Sequence, residues 1–178
     1  MANEHLIFTV YAPDKPGIVK TLSDIVLAHG GNWLESSLTR LCGQFCGIVH
    51  VTVPAARRDE LAKALANTKQ QGIEIALRND ANAAAGGSGA TGSDGTIVRL
   101  SIEANDREGI VDEIASALAE HQINVEKLTS SCSSASMAGY DIFTANIKVA
   151  LPAHLHSSDL ETILENVSDD VMVNIKSD

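Results

Sequence analysis

Asp14-Lys15-Pro16-Gly17-Ile18 closes the first hydrophobic run of the chain and opens its first helical one, and the pattern returns 92 positions later as Asp106-Arg107-Glu108-Gly109-Ile110. The same offset carries Leu6, Phe8 and Val10 onto Val98, Leu100 and Ile102, Val19 onto Val111, His29 onto His121, and Asn32 onto Asn124. One unit is written twice. Each copy reads as a strand-to-helix turn, in which Asp is placed to cap the helix and Gly lets the backbone approach a neighbour or ligand closely. The first N–H groups of such a helix, with the positive end of its dipole, suit a carboxylate. The bland role of these residues is helix initiation alone, and the repetition argues for more.

Outward from the first turn, Leu6 to Tyr11 alternates as a strand, with Leu6, Phe8 and Val10 on the face that should meet helices. Ile18, Leu22, Ile25, Val26 and His29 then recur at helical spacing up to Gly30-Gly31, and His29 is placed to interact with the last carbonyls of that helix. A second strand over residues 32–41, a tight turn at Cys42-Gly43-Gln44, and a third strand over 45–53 with Phe45, Val49 and Val51 on one face follow. Pro54, a helix over 57–69 carrying Leu61 and Leu65, and a last strand over 73–78 complete the unit. The order β-α-β-β-α-β folds most economically as a four-stranded antiparallel sheet with two helices on one face.

Residues 79–95 carry no large apolar side chain and read as a flexible linker between a first domain at 1–78 and a second at 96–178. In the second copy the strands are expected at 96–104, 123–129 and 140–150, and Phe143, Ile147 and Val149 take the places of Phe45, Val49 and Val51. The offset there has grown to 98. The six added residues are assigned to the polar stretch 130–139, read as a surface loop. Ser158 and Glu161 are expected to form a capping box for the last helix, and Val171, Val173 and Ile175 the last strand. The fold class is α+β, two ferredoxin-like βαββαβ domains.

With 13 Lys and Arg against 23 Asp and Glu, the formal charge is −10, which sets the protein against direct nucleic-acid or membrane binding. Met1 to His5 lacks a basic segment followed by a long apolar run, and no stretch approaches ~20 apolar residues, so a soluble cytoplasmic protein is expected. Cys42, Cys46 and Cys132 are an odd set that suits a reducing compartment; a disulfide or metal pair at Cys42 and Cys46 is conceivable, with reduced thiols favoured. His154 and His156 belong to no set of four ligands. The sequence therefore predicts no metal and no cofactor.

Function has to be argued from sites, since this fold hosts many. An RNA-binding sheet would need exposed aromatics and basic charge, and aromatics are 3% of the chain. A soft-metal carrier would place C-x-x-C in the first turn, which has no cysteine. An acylphosphatase-like enzyme would need a phosphate loop with arginine there; Arg107 lies between two carboxylates instead. The serines at 130, 131, 133, 134 and 136 with Cys132 have no nearby histidine and carboxylate to form a triad, and no enzyme activity is expected.

The strand, the D-x-x-G-I turn, the amphipathic helix and the Asn-containing strand resemble the ACT domain, a regulatory module for amino acids and similar effectors, in both copies. As a tandem pair without an attached catalytic or DNA-binding domain, the chain is similar to the glycine cleavage system transcriptional repressor family. The resemblance implies a regulator that senses a small amino acid, glycine first, and controls transcription through a DNA-binding protein partner. In ACT domains the effector lies where two domains meet, between the first strand-helix turn of one and a strand of the other. Carried over by position, the ligand candidates are Asp14, Gly17, Ile18 and Asn32, with Asp106, Gly109, Ile110 and Asn124. Backbone N–H groups near Gly17 and Gly109 would take the carboxylate, and Asp or Asn the ammonium. Lys15-Pro16 against Arg107-Glu108 allows the two copies to differ. Open sheet edges and the apolar Ile7, Tyr11 and Ile97 on the uncovered faces imply pairing and a homodimer. The alternative is a detached regulatory subunit of an amino-acid metabolic enzyme.

Overall fold

The alternation of Leu6, Phe8 and Val10 and the helical stripe of Ile18, Leu22 and Val26 meet as one core in the computed structural model, which describes residues 2–78, 96–134 and 141–177. The expected linker at 79–95 and the end of the polar stretch at 135–139 lie outside the described residues. Contacts divide the chain into two units, Met1–Ser88 and Gly89–Asp178.

The first unit runs β1 (Asn3–Pro13), α1 (Ile18–Ala28), β2 (Asn32–Leu41), β3 (Gln44–Pro54), α2 (Arg58–Asn67) and β4 (Glu74–Arg78), with short 3-10 turns flanking α2. Its sheet has the order β2-β3-β1-β4, all antiparallel. The second runs β5 (Ile97–Asn105), α3 (Ile110–Glu120), β6 (Asn124–Ser134), β7 (Asp141–Ala150), α4 (Ser157–Glu165) and β8 (Met172–Ser177), in the order β6-β7-β5-β8. Each is the expected four-stranded sheet with a helical layer.

Leu6, Phe8, Val10 and Ala12 of β1 pack with Leu22 of α1, Val49 and Val51 of β3 and Leu61 and Leu65 of α2, all buried. Val98, Leu100, Ile102, Ile114, Leu118, Phe143, Ile147, Leu160 and Leu164 repeat that core in the second unit. Burying each such side chain contributes about 1.5–3 kcal/mol against chain entropy. Trp33 meets Phe8 edge-on, with ring centroids 6.4 Å apart. His29 interacts with its own helix as expected, Nδ1 lying 2.7 Å from the Ile25 carbonyl oxygen.

Three local expectations need correction. Asp14 and Asp106 do not cap α1 and α3: the N-cap residues are Gly17 and Gly109, both left-handed with φ of 93° and 89° and without a side-chain cap. The capping box of α4 is not Ser158 with Glu161. The helix starts two residues earlier than that pairing requires, and Asp159 accepts a hydrogen bond from the His156 backbone N–H at 2.8 Å. Residues 130–134 are strand, not loop, because β6 stays in register with β7 as far as Ser134 opposite Asp141. Side chains reinforce the pairing, with Ser131 Oγ 3.0 Å from Thr144 Oγ1 and Ser134 donating to Asp141 at 2.6 Å. Two histidines also come together in the first sheet: His5 Nδ1 lies 2.8 Å from His50 Nε2, and His50 Nδ1 lies 3.2 Å from Glu35. Among the described residues no group of three or more metal-ligating side chains forms.

The β2–β3 turn places Cys42 and Gly43 at φ of 49° and 75°, the left-handed pair that joins twisted antiparallel strands. Cys42, Cys46 and Cys132 are free thiols. The uncovered face of the first sheet is partly apolar, with Tyr11 and Ile48 about half exposed. That of the second is mainly polar.

Candidate functional site

Each strand-helix turn is stapled to the neighbouring hairpin by its backbone. The Asp14 N–H donates to the Gly43 carbonyl at 2.9 Å, and the Asp106 N–H to the Asp141 carbonyl at 2.8 Å. The aspartate side chains then reach toward the edge strand. Asp14 forms a 2.7 Å ion pair with Arg40 Nε of β2, and Asp106 accepts from the Cys132 thiol of β6 at 3.3 Å. Arg40 and Cys132 occupy the same place in the two copies, 92 positions apart. The Asp106 carboxylate raises the Cys132 pKa above its ordinary value, first through this hydrogen bond and then through burial and like charge.

The glycines open the helix ends. Thr21 N–H is the first to bond back, to the Gly17 carbonyl at 2.9 Å, so the N–H groups of Ile18, Val19 and Lys20 precede the helical ladder. Nothing lies within 4 Å of where a Cβ on Gly17 would stand, and the first turn of α1 has no acidic residue. Lys15 turns away, donating to the Gln71 carbonyl at 2.7 Å. Ile18 and Ile110 are buried in the cores, so only their backbone faces the turn.

The second helix end carries acidic side chains of its own. Asp112 and Glu113 stand in the first turn of α3, and Arg107 grips Glu113 bidentately at 2.7 and 2.5 Å. One Glu113 oxygen lies 3.8 Å from the Cβ position of Gly109. The Arg107 hydrogen bond holds the Glu113 pKa below the usual glutamate value, and Glu113 correspondingly raises that of Arg107. Asp170, lowered mainly by the Ser168 hydroxyl, accepts from the Asn105 N–H beside this turn at 3.2 Å.

Asn32 and Asn124 stand apart from the turns of their own domains. Asn32 pairs with Thr52 and Arg40 with Phe45, so the two sit eight residues apart on β2, about 26 Å at ~3.3 Å per residue. Asn124, opposite Ala150, has the same relation to Cys132. Within one domain, then, Asp14, Gly17 and the Ile18 N–H come together, as do Asp106, Gly109 and the Ile110 N–H, and the asparagines lie at the far end of the sheet.

Models of the ACT domain match residues 4–78 and 98–155. The chain belongs to the ACT-domain family. Its two ACT domains are similar as a pair to the crystal structure of an unknown protein from Galdieria sulphuraria, with 25% identity, a TM-score of 0.82 and 98% of each chain covered. A structure named "putative glycine cleavage system transcriptional repressor" shares the fold over 100% of both chains, at 15% identity and a TM-score of 0.67. No curated protein matches the sequence.

Against this frame the side chains that sequence reasoning missed are Arg40, Cys132 and Glu113. The repeat offset carries Arg40 onto Cys132, but only the strand register reveals that both answer the turn aspartate. Among the described residues no helix is long and apolar enough to cross a membrane.

Proposed function

We propose that this tandem ACT protein is a non-enzymatic regulator that senses a small amino acid, glycine first, and controls transcription by engaging a DNA-binding protein. The observation that carries the reading is the open, left-handed Gly17 end of α1, with nothing within 4 Å of its Cβ position. An α-carboxylate there would meet the N–H groups of Ile18 to Lys20 and the positive end of the helix dipole. The ammonium would meet Asp14, which Arg40 holds beside the turn. The first copy is the working one in this reading, because Glu113 brings the second its own carboxylate. The acidic charge fits a protein partner, and the free thiols fit the cytoplasm. The exposed Tyr11 and Ile48 on the first sheet support association as a homodimer.

Thermal unfolding with each of the twenty amino acids tests the sensor, because a ligand that binds only the folded chain raises its midpoint. Glycine should shift the wild type and Asp106→Ala but not Asp14→Ala. No shift with any amino acid would overturn the reading.

A further inference from the structure

We infer that the uncovered face of the second sheet is a binding site for a compact polyphosphate anion, on grounds independent of the effector reading. Strand register places Lys127 opposite Lys148 and Lys148 opposite Arg99. Three basic residues, Lys127, Lys148 and Arg99, thus cross three neighbouring strands in a single row. A parallel row of neutral polar residues runs beside it, Thr129, Asn146, Ser101 and Asn174, each opposite the next.

Like charges directly opposite on neighbouring strands destabilise a sheet, with Cβ atoms only ~5 Å apart. The chain nevertheless spends three of its 13 basic residues here while carrying a net charge of −10. Glu126 relieves Lys148 at 2.7 Å. The fold itself does not require the row, since the matching positions of the first sheet are Glu35, His50 and Ile7.

Arg99, Lys127 and Lys148, with Ser101, Thr129 and Asn146, line a concavity of about 620 Å³ that has no acidic residue in its lining. That is the size of a small-molecule site. Three strands at ~4.8 Å spacing make the row about 10 Å long, the scale of a short phosphate chain. The row offers charge, and its neighbour offers amide and hydroxyl groups to orient the anion. No aromatic side chain lines the concavity to stack a base, and the negative net charge opposes a long nucleic acid.

The test is calorimetric titration of inorganic tripolyphosphate into the full-length protein at low salt. One site per chain is expected, weakening as salt rises, with at least a tenfold loss in Lys127→Gln/Arg99→Gln and none in the first-domain control Lys20→Gln/Lys69→Gln. Lys127→Gln should also melt at or above the wild-type temperature, since it removes like-charge repulsion. The inference is overturned by no binding to the wild type, by equal loss in the control, or by a lower melting temperature for Lys127→Gln. A response to hexaglutamate with none to tripolyphosphate would overturn it too, by making the row a contact for acidic peptide.

Discussion

Arg40 closes on Asp14 across 2.7 Å, joining the edge strand of the first sheet to the turn that opens its first helix. Cys132 makes the corresponding closure on Asp106, with a thiol in place of a guanidinium. The link between turn and edge strand has been kept while its chemistry has changed from an ion pair to a neutral donor.

Arg40 is 69% exposed and Asp14 33%, so water screens their attraction. A double-mutant cycle of Asp14→Ala and Arg40→Ala, read by urea unfolding, should give a coupling below about 1 kcal/mol. The loss of the glycine response expected in Asp14→Ala would then reflect the site and not the stability of the domain.

Removing the Asp106 carboxylate should free the Cys132 thiol to ionise. In Asp106→Asn, alkylation of Cys132 by iodoacetamide at mildly alkaline pH should quicken roughly threefold or more as the thiolate fraction grows. Peptide mass spectrometry separates it from Cys42 and Cys46. An unchanged rate would show that the hydrogen bond does not govern the thiol.

The Arg107–Glu113 pair gives the second domain an acid sensitivity of known sign. The folded-state pKa of Glu113 is lowered, so its contribution is present above the unfolded value, near 4.5, and is lost as pH falls through the folded value. Glu113→Gln should therefore be less stable than wild type at neutral pH and show a shallower decline between about pH 5 and 3. Urea midpoints across that range check it, and parallel curves would refute it.

Gly47 has φ of 156°, and a Cβ there would stand inside the Ser37 carbonyl oxygen. Gly47→Ala should cost about 3 kcal/mol by overpacking. The second sheet already accommodates a methyl at this place, where Ala145 is buried opposite Ser130. Ala145→Gly should cost only about 1 kcal/mol, and equal effects at the two sites would be evidence against distinct local packing.

Where apolar spacing controls structure, the sequence was legible. The alternation of Leu6, Phe8 and Val10 and the stripe of Ile18, Leu22 and Val26 specify which faces are buried, and the repeat specifies that it happens twice. Residues 130–134 escaped because serines favour loops locally, whereas pairing with β7 decides their state. Asp14 and Asp106 looked like caps because caps are local, but their partners lie 26 residues on, across a register that no spacing announces. The row of Lys127, Lys148 and Arg99 is scattered over three strands and exists only once they are aligned.

The two hydrophobic cores share no residue. Each half therefore has a core of its own to hold its fold, and each can drift in sequence on its own account. Duplication on those terms is a licence to diverge: one turn has an open glycine while the other has its own carboxylate, and one sheet face is partly apolar while the other has gathered cations.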